Sequence, residues 1–211
     1  MNLRGSQPDD STHGVDQTRR ALLRGLTAAP VVVSVSPMGE ALAALHRQYD
    51  DRSAEIVRSR EGRSLSCFRY HNAESFCAGI DHGFFDKDCG EMLYQSGIVV
   101  QLAISSHLLD VGFADEWNAR HIRLDVAKAL AYANATGLGH RCPDMARFAA
   151  ILSPYWKWGH AHRLDDPRPD SGGFTATQVR PLLRGLLDRV HDVTGHPRPA
   201  DWTHGEQQAR S

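Results

Sequence analysis

The best candidate for a site is a stretch near the C-terminal end of the chain in which histidine and carboxylate side chains lie close together. His160 and His162 are separated by a single residue, and Asp165 and Asp166 follow closely. In an extended segment alternate side chains point to the same side, so both imidazoles could bind one metal ion, with a nearby carboxylate as third ligand. Neighbouring aromatic residues could form the wall of a pocket. A hydrated loop over 155–174 is the alternative, because prolines and glycines interrupt the segment.

Cysteine chemistry is the second candidate. The spacing of the four cysteines does not match the Cys-x2-Cys pattern of structural zinc sites. In an oxidising compartment they could form two disulfides in any of three pairings, and each could equally be a free thiol packed as a small apolar group. The residues concerned are Cys67, Cys77, Cys89 and Cys142.

Two smaller sets of residues could also bind a metal. His71 and His82 lie in the cysteine-containing segment and could be joined by Asp81 or by a cysteine. His121 and Asp125 are four residues apart, so on one helix their side chains would share a face. That spacing permits a carboxylate-oriented imidazole, but it is also typical of an exposed ion pair.

The N-terminal region carries a short sequence motif that bears on where the folded domain begins. Residues 18–24 read Thr-Arg-Arg-Ala-Leu-Leu-Arg, with Arg19 and Arg20 followed by Leu22 and Leu23. This pattern resembles the twin-arginine export signal, which has Ser or Thr, two arginines, any residue, two apolar residues and a base. The sequence differs from that pattern only in having leucine where phenylalanine is commoner and arginine where lysine is commoner.

The residues after the arginine pair agree with the resemblance. The apolar segment 25–35 has the length of a signal-peptide core and is too short for the roughly 20 residues of a membrane span. Pro37 interrupts it, and the small residues Ala41 and Ala43 predict cleavage after Ala43. The resemblance implies that the twin-arginine translocation machinery is a partner. It also implies a periplasmic or secreted mature protein without a stable membrane span, exported folded by a route that often carries cofactor-containing proteins.

Composition predicts one ordinary globular domain. The chain has 211 residues with 41% hydrophobic and 23% charged side chains, typical of a folded protein. Its 24 basic and 25 acidic residues give a net charge of −1, so there is no basic excess to neutralise phosphates and nucleic acid is excluded as an expected partner. We predict disorder over 1–17, a domain over 44–197 and a flexible tail over 198–211.

Apolar periodicity within this domain predicts a mainly α, bundle-like fold. Residues 64–91 show no regular period and are expected to be irregular, and 155–174 is expected to form a long loop before the last helix. Thr175 and Gln178 have capping-box spacing, but Pro181 favours a start at Thr177. Five helices are predicted, over 42–57, 91–109, 115–136, 143–152 and 177–194.

Two functions remain open at the level of sequence. The favoured hypothesis is an exported binding or accessory protein, because no complete catalytic or phosphate-binding motif is evident. The alternative is a metal-dependent enzyme or redox subunit that uses His160, His162 and a nearby aspartate. Its cofactor would be a metal ion of unknown identity.

Overall fold

The structure is a computed structural model that describes residues 36–153 and 170–199. These residues form seven α-helices and one π-helical turn, and none of them lies in a strand, which confirms the mainly α prediction. The helices are α1 (Pro37–Tyr49), α2 (Arg60–Asp81), α3 (Cys89–Val111), the short α4 (Asp115–Trp117), α5 (Val126–Ala135), α6 (Pro143–Leu152) and α7 (Ala176–Thr194). The π-turn spans Asn118–Ile122, between α4 and α5.

Helix α3 lies at the centre of the fold and packs against α2, α5, α6 and α7. Its N-cap is Asp88, whose carboxylate accepts a hydrogen bond from the Glu91 backbone N–H at 3.0 Å. Its C-cap is Gly112, where φ is +119° and a Cβ would lie 2.7 Å from the carbonyl carbon of Val57. Only glycine fits there, because both the backbone conformation and the close approach of the loop after α1 exclude a side chain.

The apolar composition of α3 follows from its position. Among the described residues it is the one helix long and apolar enough to cross a membrane, and 72% of its most apolar window is buried inside the fold. A helix that is apolar on nearly all sides is expected at the centre of a domain as well as in a bilayer.

Residues 64–91 are not irregular, and that prediction was wrong. Most of the segment belongs to α2, a helix of 22 residues that is capped by the Ser59 hydroxyl. Its buried side chains have helical spacing and pack on α3, but Phe68 and Phe76 lie exposed on the opposite face. Apolar residues on both faces obscured the period in the sequence. Only residues 82–88 form a turn between α2 and α3.

The long helix predicted over 115–136 is interrupted. Helix α4 continues into the π-turn, Arg123 takes a positive φ of 53°, and Asp125 starts α5 by accepting a hydrogen bond from the Lys128 N–H at 2.9 Å. The apolar residues from Ile122 onward keep a helical period, but the step from Trp117 to Ile122 is five residues, longer than α-helical spacing, and it coincides with the π-turn.

Two predicted helix boundaries also move. Helix α1 spans Pro37–Tyr49, with Ser36 and Asp50 as its caps, instead of 42–57. Helix α7 begins at Ala176, one residue before the predicted start, and the Gln178 side chain accepts a hydrogen bond from the Thr175 N–H at 3.0 Å. Helices α3 and α6 contain the predicted ranges.

Buried polar groups join α2 to α7. The Glu74 carboxylate, 1% exposed, accepts hydrogen bonds from the Tyr70 hydroxyl and the Arg184 guanidinium, both at 2.6 Å. Arg184 also pairs with Asp81 at the end of α2. The guanidinium therefore supplies the counter-charge for a carboxylate that is buried in the core.

His107 makes the stability of this fold depend on pH. Burial lowers the pKa of this imidazole on α3 to about 4, so the folded protein keeps it neutral while the unfolded chain takes up a proton below about pH 6.5. The contribution of the neutral imidazole to the free energy of unfolding is therefore fully present above that pH and is lost as the pH falls toward 4. We expect His107→Gln to remove about 3 kcal/mol of the loss in unfolding free energy between pH 7 and pH 4.

Urea denaturation at the two pH values measures this difference. His82→Gln is the matched control, because His82 is exposed and its replacement leaves the buried His107 in place. An unchanged pH dependence in His107→Gln would show that His107 does not carry the effect.

Candidate functional site

Several predicted site residues lie outside the described part of the chain. The metal set falls in residues 154–169 and the twin-arginine motif in residues 1–35, so both stay predictions. The residues concerned are His160, His162, Asp165 and Asp166 for the metal, and Arg19, Arg20, Leu22 and Leu23 for export. Ala41 and Ala43 lie within α1.

No group of three histidine, cysteine or acidic side chains within residues 36–153 and 170–199 is arranged to hold a metal ion. His71 Nε2 hydrogen-bonds the Pro197 carbonyl at 2.9 Å, and His82 Nδ1 hydrogen-bonds the Ala78 carbonyl at 2.6 Å. The set of His71, His82 and Asp81 is not brought together, because His71 lies ten residues before Asp81 on α2, about 15 Å along the helix axis. Cys67 Sγ does lie 3.9 Å from His71 Nε2, but no third ligand joins them among the described residues.

All four cysteines are free thiols in the structure. Cys67 and Cys77 lie ten residues apart on α2, about 15 Å along the helix axis, so they cannot pair with each other. Cys77 is fully buried, and burial raises the pKa of its thiol to about 12. The pairing of Cys67 with Cys77 is therefore excluded. A disulfide between Cys89 or Cys142 and another of the four cysteines stays a prediction.

His121 and Asp125 do not share a helix face, so that predicted pair was wrong. The π-turn and the bend at Arg123 separate them, and Asp125 is used as the cap of α5. The carboxylate near His121 is Asp51, from the loop after α1, with 3.4 Å between Nδ1 and Oδ1. Asp51 carried no sequence signal, because it belongs to no motif and lies far from His121 along the chain.

Asp51 is the centre of a buried polar cluster. Its side chain is 5% exposed and accepts hydrogen bonds from Lys128 Nζ and from the Tyr132 hydroxyl, each at 2.7 Å. Lys128 Nζ also donates to the His121 carbonyl at 2.6 Å and lies 4.9 Å from the centre of the Tyr49 ring. One ammonium group thus joins the loop after α1, the π-turn and α5.

The protonation states of this cluster follow from the contacts. Burial raises the pKa of Asp51, but the hydrogen bonds from Lys128 and Tyr132 outweigh burial and leave the pKa lowered. Burial and the Asp51 hydrogen bond raise the pKa of Tyr132, so this phenol stays protonated and donates. Burial lowers the pKa of His46, which packs against Trp117 and Tyr132.

Aromatic stacking also holds the π-turn. The Trp117 ring lies 4.8 Å from the His121 ring, and its indole N–H donates to the Arg52 carbonyl at 2.9 Å. Trp117, Arg120 and His121 line an open groove of about 270 Å³ on one side of the turn. Single π-turns inside helical segments are frequent at functional sites, which directs attention to what lies on the other side.

A small polar cavity of about 110 Å³ lies there, between the π-turn, α2, α3 and α5. The Arg69 guanidinium bridges the Ser105 hydroxyl and the Asp115 carboxylate, the latter at 2.6 Å. One water needs roughly 10–15 Å³ of such space, so the cavity has room for several waters or for a small molecule. Its lining consists of Arg69, Gln101, Ser105, Leu108, Asp115, Asn118, Ala119, Ile122, Arg123 and Ala129.

Asn118 is the unusual member of this lining. The residue is 5% exposed, and neither Oδ1 nor Nδ2 of its carboxamide has a hydrogen-bond partner among the described residues. Buried polar groups are almost always satisfied, so an unpaired carboxamide beside a polar cavity indicates a water or ligand partner. The sequence analysis did not identify Asn118 as a site residue, because it was expected to lie on a regular helix over 115–136.

The cluster around Asp51 can be tested by removing its ammonium group. Lys128→Met should lower the free energy of unfolding at pH 7 by about 3–5 kcal/mol, because it leaves a buried carboxylate without its counter-charge. The deficit should shrink at pH 4, where the unpaired carboxyl of the variant takes up a proton.

Urea denaturation at both pH values measures the effect, and Lys87→Met at an exposed turn is the matched control. A loss below about 1 kcal/mol at pH 7, as for an exposed ion pair, would contradict the assigned role of Lys128.

Comparison with known proteins gives no relative for this site: no protein-family model, curated protein or solved structure matches the chain.

Proposed function

We propose that this chain is an exported helical binding protein that holds a small polar molecule in the cavity beside the π-turn. The observation that carries the proposal is the buried Asn118 carboxamide, with a donor and an acceptor that both lack partners among the described residues. Neither atom is accessible to solvent in the structure, so a ligand with its own donor and acceptor would satisfy both atoms once the carboxamide turns toward the cavity. Such a partner offsets the desolvation cost of the carboxamide.

The surroundings of Asn118 support a polar ligand. Gln101 and Ser105 from α3 supply an amide and a hydroxyl, and Arg69 from α2 is already neutralised by Asp115. A cavity of about 110 Å³ suits a molecule of only a few heavy atoms. Binding sites commonly combine such a pre-formed cavity with a few fixed polar groups.

Asn118→Leu separates a binding role from a structural one. Leucine is similar in size and has no polar atoms, so the free variant should be as stable as wild type or more stable, by up to about 1–3 kcal/mol. The same change should abolish the binding of acetamide and acetate, two probes small enough for the cavity. Urea denaturation measures stability, and probe titrations followed by amide NMR shifts of cavity residues measure binding.

Asn72→Leu is the matched control, because Asn72 is partly exposed on α2 and away from the cavity lining. This control should change stability by less than about 0.5 kcal/mol and leave probe binding intact. A loss of more than about 2 kcal/mol in Asn118→Leu would mean that the carboxamide has a structural partner, which contradicts the proposal.

Export is the second part of the proposal and is supported by residues 18–43. Cleavage after Ala43 would remove about half of α1, including Leu42, whose side chain packs in the core. His46, which packs against Trp117, and Tyr49, which packs against Tyr132, would remain in the mature chain. Burial of Leu42 means that the first turns of α1 must unwind before a peptidase can bind the cleavage site.

Replacing both Arg19 and Arg20 by lysine should stop export, since the resemblance rests on the arginine pair. The expected result is full-length protein retained in the cytoplasm, detected by cell fractionation and by mass spectrometry of the N-terminus. Replacing Arg4 and Arg24 by lysine is the matched control and should leave processing after Ala43 unchanged. Processed double-lysine protein outside the cytoplasm would contradict the twin-arginine assignment.

A further inference from the structure

Arg123 occupies a backbone position that favours glycine. Its φ of 53° and ψ of −123° are those of the second residue of a type II′ turn, and the Asp125 N–H closes that turn on the Ile122 carbonyl at 3.2 Å. Glycine reaches this conformation without strain, whereas a residue with a Cβ does not. The other non-glycine residue with positive φ in the described chain is Asp50, a residue type that tolerates it.

The hydrogen bonds of Arg123 within the protein do not explain why an arginine stands there. Among the described residues its side chain makes one hydrogen bond, from Nε to the carbonyl of Arg120 in the preceding π-turn at 3.2 Å. Residues held in strained conformations cluster at ligand and active sites, where the side chain is needed in one place. The residue lines the same cavity as Asn118, at the exposed end of the turn.

Charge at the cavity points to the kind of ligand. Arg69 and Asp115 neutralise each other at 2.6 Å. No carboxylate within residues 36–153 and 170–199 forms an ion pair with Arg123, so its positive charge is not balanced there. The remaining polar lining is neutral and consists of Gln101, Ser105 and Asn118. Arg123 therefore places a positive charge that has no ion-pair partner among the described residues at the exposed rim of the cavity, beside neutral hydrogen-bonding groups.

We propose that the cavity binds the carboxylate of a small organic acid, with Arg123 as its anchor. A guanidinium is planar and donates two parallel hydrogen bonds to one carboxylate, and Asn118 can donate to the same anion or pair with its remaining polar group. The volume of about 110 Å³ restricts the ligand to a short acid. This inference rests on the proposed binding function and names its ligand class.

Acetate and acetamide test the inference directly, because they have nearly the same shape and differ in charge. Titration of the full chain, followed by amide NMR shifts of cavity residues, should show acetate binding at least tenfold more tightly than acetamide, at constant ionic strength set with sodium chloride. Arg123→Gly should reduce acetate affinity at least tenfold and leave acetamide affinity within twofold of wild type.

The glycine variant also reports on the strain. Because glycine is favoured at this position, Arg123→Gly should keep or raise the thermal unfolding temperature, so lost acetate binding could not be ascribed to misfolding. Arg120→Ala is the matched control: Arg120 is also exposed and belongs to the π-turn, but it lines the groove on the opposite side. Acetate affinity should be unchanged in this variant.

The outcomes separate the two proposals. Binding of both probes with equal affinity, lost in Asn118→Leu but retained in Arg123→Gly, would overturn the carboxylate inference and leave the binding function standing. Absence of binding by either probe in wild type would overturn both. Acetate preference lost equally in Arg120→Ala would assign the effect to general surface charge and overturn the role of Arg123.

Discussion

The buried ion pair between Lys128 and Asp51 is the contact on which the geometry of the site depends. Lys128 Nζ binds the carboxylate at 2.7 Å and the His121 carbonyl at 2.6 Å, so its position sets that of the π-turn. Tyr132 supplies a second donor to Asp51. Burying either charge without the other would cost free energy. The ion pair and its hydrogen bonds therefore hold together the loop after α1, the π-turn and α5.

This arrangement has a consequence on the opposite side of the π-turn. A turn anchored from one side can hold unfavourable features on the other, and two are found there: the unpaired carboxamide of Asn118 and the positive φ of Arg123. Single unpaired polar atoms are also buried at Ser96 and His140, but Asn118 differs from both because its donor and its acceptor are both unpaired and it lines the cavity. The two features together support a site at the cavity, because stability alone would favour an apolar residue at 118 and glycine at 123.

Sequence patterns predicted most of the helical framework but not the site. The central helix α3, the short helix α6 and the C-terminal helix α7 follow from apolar periodicity, caps and terminal glycines. Helix α2 was missed because apolar residues on its exposed face, such as Phe68, hide its period. The break after Trp117 was missed because the apolar residues from Ile122 onward are in phase with one another, and the step of five residues between Trp117 and Ile122 was taken as part of the same helix.

The sequence by itself determined what depends on neighbouring residues: the helical class, the end of α7 at Gly195, and the resemblance of residues 18–43 to an export signal. Only the tertiary structure decided which distant groups meet. Asp51 and Lys128 are 77 residues apart, and Arg69 reaches Asp115 across 46 residues. A local pattern contains no information about such pairs, because burial, charge neutralisation and the strain at Arg123 exist only once the helices have packed around α3.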